Sequence, residues 1–384
     1  MIRRAVALVA LIAIVAAGLV AAELVGASAA APAGAKGGPA GAKGGPAPYA
    51  GPGPYAAGVT TIDLDGTPVE VWYPAARRAV GDSPKDVYFI RESLPAAIQA
   101  IIPAAVNPPF TQEAYRDLPA SPKGPFPLVL FSHGFAGIRL QSTFLTAHLA
   151  QWGFVVASPE FESRNLASVL GATPAEPKTD SQVLAATARL VRREARNPRS
   201  LLDGTVRRGK LAVTGHSAGG FAAIEFGDRP DVATYIPLSA GGTTDFTGTA
   251  APPDTPSLYA LGGDDRVVES GSVVRFWDED VPAPKRLVVI EGAGHTSPTD
   301  LCDIGNGGLV QTAIDAGVPI PASFGDLYDC AKPVAPRDTW PVYDHFVTAQ
   351  LRWAFGIDRR PVGLNQRAAR SFAPLEVKYR QVTR

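Results

Sequence analysis

The run Leu211-Ala212-Val213-Thr214-Gly215-His216-Ser217-Ala218-Gly219-Gly220 carries an apolar, strand-like segment straight into the pattern G-x-S-x-G. A serine in that place sits where a buried strand turns into a helix, and flanking glycines let the turn close in a strained backbone. A bare hydroxyl is a weak nucleophile at neutral pH. It needs a base to take its proton, an acid to orient that base, and donors to hold an oxyanion.

Working outward from Ser217, the chain offers one candidate for each role. Of its five histidines, only His295 follows the serine at the end of a strand-like run (286–290), on the loop Glu291-Gly292-Ala293-Gly294. The acid is expected between the two in chain order, where the run 257–261 leads into Gly262-Gly263-Asp264-Asp265. Asp264 and Asp265 compete. Asp265 is chosen because Val267 and Val268 can pack to fix its direction, and Asp264 stands second. The oxyanion donors are expected to be the backbone N–H of Ala218, next after the serine, and that of Phe135 in the loop Ser132-His133-Gly134-Phe135-Ala136-Gly137. His133 then shapes this loop, His216 packs, and His148 and His345 are structural or surface residues.

The remaining motifs narrow the chemistry. The two cysteines lack C-x-x-C spacing and no two histidines stand at i, i+4 on a helix, so no metal site is expected. No G-x-G-x-x-G opens a helix after a strand, and no nucleotide cofactor is expected. The 36 basic residues balance 36 acidic ones, which gives no reason to expect nucleic acid as a partner.

Residues 1–29 read as a signal peptide: Arg3-Arg4, an apolar run over 5–22, and the small residues Ala27-Ser28-Ala29. A secreted or cell-envelope protein is expected, with retention of the apolar run as a membrane anchor the alternative. In an oxidising compartment Cys302 and Cys330 are expected to pair, a closure that stabilises by roughly 3 to 4 kcal/mol in the chain-entropy model. Residues 30–57 repeat Pro-Ala-Gly-Ala-Lys-Gly-Gly and read as a flexible linker. Residues 58–357 make a catalytic domain of about 300 residues, the size of one large α/β unit.

Strands are expected over 59–64, 69–73, 128–131, 154–157, 211–213, 233–238, 257–261 and 287–290. Val183, Leu184, Thr187, Leu190 and Val191 form the apolar stripe of a helix between them. Such alternation implies a mostly parallel central sheet with helices on both faces. Asp65-Gly66-Thr67 between the first two runs signals an antiparallel hairpin at its N-terminal edge. Residues 88–119 interrupt the alternation, either as a cap over the site or as an insertion packed on the sheet edge. Residues 358–384, with seven Lys/Arg against two acidic residues, read as a solvated basic tail.

Three stretches together carry a resemblance: Pro54-Tyr55-Ala56-Ala57-Gly58 before the hairpin, Phe131-Ser132-His133-Gly134-Phe135, and Gly215-His216-Ser217-Ala218-Gly219-Gly220. They resemble secreted bacterial α/β-hydrolases of the platelet-activating-factor acetylhydrolase-like and dienelactone-hydrolase-like kinds, with cutinase-type polyester hydrolases as relatives. The likeness spans 55–356. It implies the α/β-hydrolase fold and a cofactor-free serine esterase. Ser217 would carry the acyl group, His295 act as base and then acid, Asp265 orient it, and Phe135 and Ala218 hold the oxyanion.

Dienelactone hydrolases use a cysteine nucleophile, so the serine here speaks against their lactone. The insertion at 88–119 favours the acetylhydrolase-like side over the compact polyester hydrolases. Small or short-acyl, lipid-derived esters are the expected substrates. Polyester or lipase activity, a peptidase or acyltransferase using the same triad, and a noncatalytic envelope-binding protein on the same scaffold are the alternatives.

Overall fold

The computed structural model describes residues 45–103, 107, 109–242, 251–305, 315, 330 and 332–384. The expected signal peptide (1–29) and residues 30–44 of the expected linker lie outside the described residues.

The strands are β1 (Ala56–Leu64), β2 (Thr67–Ala75), β3 (Val87–Tyr88), β4 (Phe110–Thr111), β5 (Tyr115–Arg116), β6 (Leu128–Ser132), β7 (Val155–Pro159), β8 (Leu211–His216), β9 (Val232–Leu238), β10 (Ser257–Gly262), β11 (Lys285–Ile290) and β12 (Val377–Val382). The helices are α1 (Ala96–Ile101), α2 (Thr143–Gln151), α3 (Asp180–Glu194), α4 (Ala218–Phe226), α5 (Ser270–Glu279), α6 (Leu301–Gly305), α7 (Pro336–Ala354) and α8 (Gln366–Arg370). Ten strands form one sheet in the order β12-β11-β10-β9-β8-β6-β7-β2-β1-β5. Its centre, β7-β6-β8-β9-β10-β11, is parallel throughout. This is the α/β-hydrolase arrangement that the sequence implies.

Period-two alternation along the strands feeds two cores. β6 sends Val129 and Phe131 into one cluster, with α2, α7 and α8, and Leu128 and Leu130 into the other, with α3, α4 and α5. The apolar stripe at 183–191 buries on α3 as expected, and Thr179 with Gln182 closes its N-terminus in a reciprocal capping box. The hairpin turn puts Asp65 and Gly66 at positive φ (54° and 89°), which matches the right-handed twist of β1 and β2.

Three features differ from the sequence reading, and one choice it left open is decided. The hairpin is not the outermost pair, because the two-residue β5 adds to β1 in parallel. Strands this short carry no pattern of their own. Of the two forms expected for 88–119, the described part takes the second and packs on that edge. Arg116 pairs with Asp86 and Glu70, Trp72 Nε1 donates to Gln112 Oε1 at 2.7 Å, and Tyr88, Ile90, Ile102 and Ala114 join the core shared with α2 and α7.

The end of the expected linker is also fixed. Tyr49 is buried, its N–H donates to His345 Nδ1 at 3.3 Å, and its ring meets Trp152 edge-on at 5.0 Å. His345 Nε2 in turn donates to Gly363 O at 3.0 Å, and burial lowers its pKa to about 4, so this histidine stays neutral and fastens Tyr49 and Gly363 to α7.

Finally, the expected basic tail supplies β12, antiparallel to β11. Val377 and Tyr379 point into the core while Lys378 and Arg380 reach outward to Glu291 and Asp278. Counting charge hid a period-two strand. A chain ending at Leu375 is therefore expected to lose about 3 to 6 kcal/mol of stability, from two buried side chains at roughly 1.5 to 3 kcal/mol each. The urea midpoint measures it; a solvated tail would leave the midpoint unchanged.

Candidate active site

β6 pairs with β7 on one side and β8 on the other, so the chain reverses its direction of travel across the sheet at this point. The loops leaving the carboxyl ends of β6 and β8 therefore face one crevice, the place where open α/β sheets build sites. β8 ends at His216 and α4 begins at Ala218, leaving Ser217 between them with φ 54° and ψ −123°. A non-glycine residue there costs on the order of 1–3 kcal/mol and persists only where its surroundings hold it. Ser217 N–H donates to Leu238 O at 2.9 Å, and its carbonyl accepts from Gly220 and Phe221 at 2.7 and 3.1 Å. A Cβ on Gly219 would drive into the carbonyl oxygens of Ser132 and His133, so the elbow closes against β6 only with glycine there.

The candidate acid and base meet. His295 Nδ1 lies 2.8 Å from Asp265 Oδ2, with both residues buried. Asp265 Oδ1 accepts from the N–H groups of Val267 and Val268, each at 2.9 Å. Side-chain packing was expected to aim this carboxylate, but backbone N–H groups do so, and Val267 itself is 40 % exposed. Asp264 faces solvent. With Nδ1–H donating to Asp265, Nε2 is the nitrogen of His295 that can accept a proton.

The loop after β6 presses on the elbow, since a Cβ on Gly134 would stand 3.4 Å from Ser217 Cβ. Within it the N–H groups of Gly134, Ala136 and Gly137 are spent on Gln141 Oε1, Arg164 O and Gly134 O at 3.0, 2.8 and 3.2 Å. That leaves Phe135 as the loop's candidate donor, a residue 51 % exposed. Ala218 opens α4, where the first N–H groups of a helix have no partner within it and carry its positive dipole end. His133 is buried inside the loop, with Nε2 accepting from Phe161 N–H at 3.1 Å and Nδ1 facing Gly134 O at 2.9 Å.

Two residues here carry no motif. Arg164 is buried with its guanidinium shared between Asp180, Ser132 Oγ and the carbonyls of His133 and Gly134. Gln141 holds Gly134 and also reaches His216 Nδ1 at 3.2 Å. His216 does more than pack: its Nε2 lies 2.9 Å from His295 O and its ring 4.7 Å from the His295 ring. Burial, then the neighbouring His295, holds its pKa well below the ordinary histidine value. Cys302 and Cys330 form a disulfide with Cα atoms 5.6 Å apart, and Cys302 Sγ lies 3.1 Å from Thr296 Oγ1, one residue after His295.

A family model for platelet-activating factor acetylhydrolase, isoform II, matches residues 63–199. The chain thus resembles a platelet-activating-factor-acetylhydrolase-like α/β-hydrolase, and the family implies ester hydrolysis. The matched span takes in the loop after β6 and stops before Ser217, Asp265 and His295. No curated protein matches the chain.

The loop after His295 ends on a buried carboxylate. Asp300 Oδ2 accepts Thr143 N–H at 2.7 Å, and burial raises its pKa to about 7 against the hydrogen bonds from Thr143. Asp344, close enough to feel its charge, is itself raised by burial. A folded-state pKa above the unfolded value near 3.8 means that Asp300 favours the fold most below pH 4, and that this contribution is lost as pH rises to 7. Asp300→Asn keeps an acceptor for Thr143 N–H and removes the charge. Its melting temperature should match the parent near pH 4 and exceed it above pH 7; equal values at both would refute the burial argument.

Proposed function

We propose that the protein is a serine carboxylic-ester hydrolase, acting on small or short-acyl esters through an acyl-enzyme on Ser217. The observation that carries this reading is the buried 2.8 Å pair of His295 and Asp265, with the His295 loop tied to His216, the residue beside Ser217. In the proposed reaction, His295 Nε2 takes the Ser217 proton as the hydroxyl oxygen attacks the substrate carbonyl. Asp265 holds the ring and stabilises the imidazolium that forms. The N–H groups of Ala218 and Phe135 receive the oxyanion, preorganised so that little reorganisation accompanies the charge. His295 then protonates the leaving alcohol, and a water activated by the same nitrogen frees the acid.

The family match supports an ester as substrate, and half-exposed Phe135 offers an apolar surface at the rim. We further propose secretion or retention at the cell envelope, with residues 1–29 as the signal, in keeping with a disulfide beside the site.

Ser217→Ala and His295→Ala should each lower p-nitrophenyl acetate turnover by roughly 10³-fold or more. Asp265→Asn should cost less than either, and Asp264→Asn should stay within about twofold of the parent. Circular dichroism checks folding, and a fluorophosphonate probe should label Ser217. Turnover that survives in folded Ser217→Ala would end the proposal. Across p-nitrophenyl esters of increasing length, kcat/KM should be highest for the short acyl groups; a maximum at long chains would point to lipase chemistry instead.

A further inference from the structure

Between the two loops that flank Ser217 lies one buried amide. Gln141 precedes α2 and is fully enclosed. Its Oε1 accepts Gly134 N–H at 3.0 Å, its Nε2 stands 3.2 Å from His216 Nδ1, and His216 Nε2 stands 2.9 Å from the His295 carbonyl oxygen. One proton arrangement satisfies all three contacts. The amide N–H donates to Nδ1, which therefore bears no proton, and Nε2–H donates to the carbonyl. The same residue's carbonyl accepts Asp300 N–H at 2.7 Å, a second tie to the His295 loop. Space for the amide depends on Gly137, where a Cβ would drive into Gln141 Oε1.

We infer that Gln141 is a positioning residue. Acting through neutral His216, it fixes the spacing between the loop that bears the Phe135 N–H and the loop that bears His295. The inference rests on the hydrolase reading above and names a residue outside its triad and oxyanion donors. Donor and base must act on one substrate carbonyl from opposite sides, and small misplacements of either lower the rate steeply. A leucine at 141 fills the volume but strands Gly134 N–H and His216 Nδ1 without partners in a buried site. A glutamate keeps an acceptor for Gly134 yet offers His216 only an oxygen, which draws a proton onto Nδ1. The resulting imidazolium stands 4.7 Å, ring to ring, from His295 and opposes the charge His295 acquires during attack.

The test uses the full chain, with Gln141→Leu and Gln141→Glu. In Gln141→Leu, kcat for p-nitrophenyl acetate, per fluorophosphonate-titrated site, should fall roughly 10- to 100-fold, with KM within about twofold. Gln141→Glu should shift the acid limb of the kcat/KM profile to lower pH, an effect that lost packing alone would not produce. Proton–nitrogen correlation spectra should show His216 as the Nε2–H tautomer in the parent and with a proton on Nδ1 in Gln141→Glu.

An Nδ1–H tautomer in the parent would overturn the inference, as would folded Gln141→Leu with kcat per site unchanged. Should Gln141→Leu fail to fold, an unmoved acid limb in Gln141→Glu would overturn it equally. Activity in Ser217→Ala would sink the hydrolase reading instead, a separate result.

Discussion

The parallel pairing of β6 with β8, in the register that sets Ser132 beside Gly215, constrains everything built around Ser217. It brings the last turn of one strand and the elbow of the other so close that carbonyl oxygens of Ser132 and His133 lie where a side chain on Gly219 would have to be. The approach in turn lets the start of α4 and the loop after β6 face the same small volume. Ser217 can then hold a positive φ, because β8 is paired on both sides and its N–H is already spent on Leu238. A residue in that conformation on a lone strand end would relax. Here relaxation would break strand pairing and helix packing together, which cost more than the strain.

The features legible in the sequence are those that one segment encodes by itself. All eight strand runs occur, seven extended at one end or both and the one expected over 154–157 shifted to 155–159, because alternating or continuous apolar residues record burial along a single strand. The elbow was legible because glycine and serine stand at fixed offsets, and Asp265 because a strand end, a turn and a histidine follow in order. Polar side chains that act across the fold leave no such record. Gln141 and Arg164 belong to no motif, and only the pairing of β6 with β8 makes them neighbours of His216 and of the loop after β6. β12 was hidden for a different reason: an edge strand with Lys378 and Arg380 outward reads as charge.

Arg164 shows how much polar organisation the site absorbs. Its guanidinium is enclosed and would be costly without compensation, yet a carboxylate, a hydroxyl and two carbonyls meet it. A planar, forked donor suits such divergent acceptors better than the point charge of a lysine. By drawing the carbonyls of His133 and Gly134 inward, it sets the turn of the peptide units between them and leaves the Phe135 N–H unclaimed by the loop. Charge buried here stiffens the loop and need add nothing to net stability.

The same logic accounts for a carboxylate held against its preference at Asp300. α2 begins at Ser142 without a side-chain cap, so the Thr143 N–H and the positive end of the helix require an acceptor from elsewhere. Asp300 supplies it, and in doing so anchors the far end of the loop that starts at His295. Ser142 Oγ donates to Pro298 O, Ser297 Oγ meets Tyr343 Oη at 2.8 Å, and Thr339 Oγ1 donates to Ser297 O. Four successive positions, 297 to 300, are thereby engaged: Ser297, Pro298 and Asp300 by α2 and α7, and Thr299 by its bond back to the Thr296 carbonyl. The buried acid that ionises unfavourably thus belongs to the seam that holds His295, whose backbone is fixed by β11 before it and by these polar contacts after it.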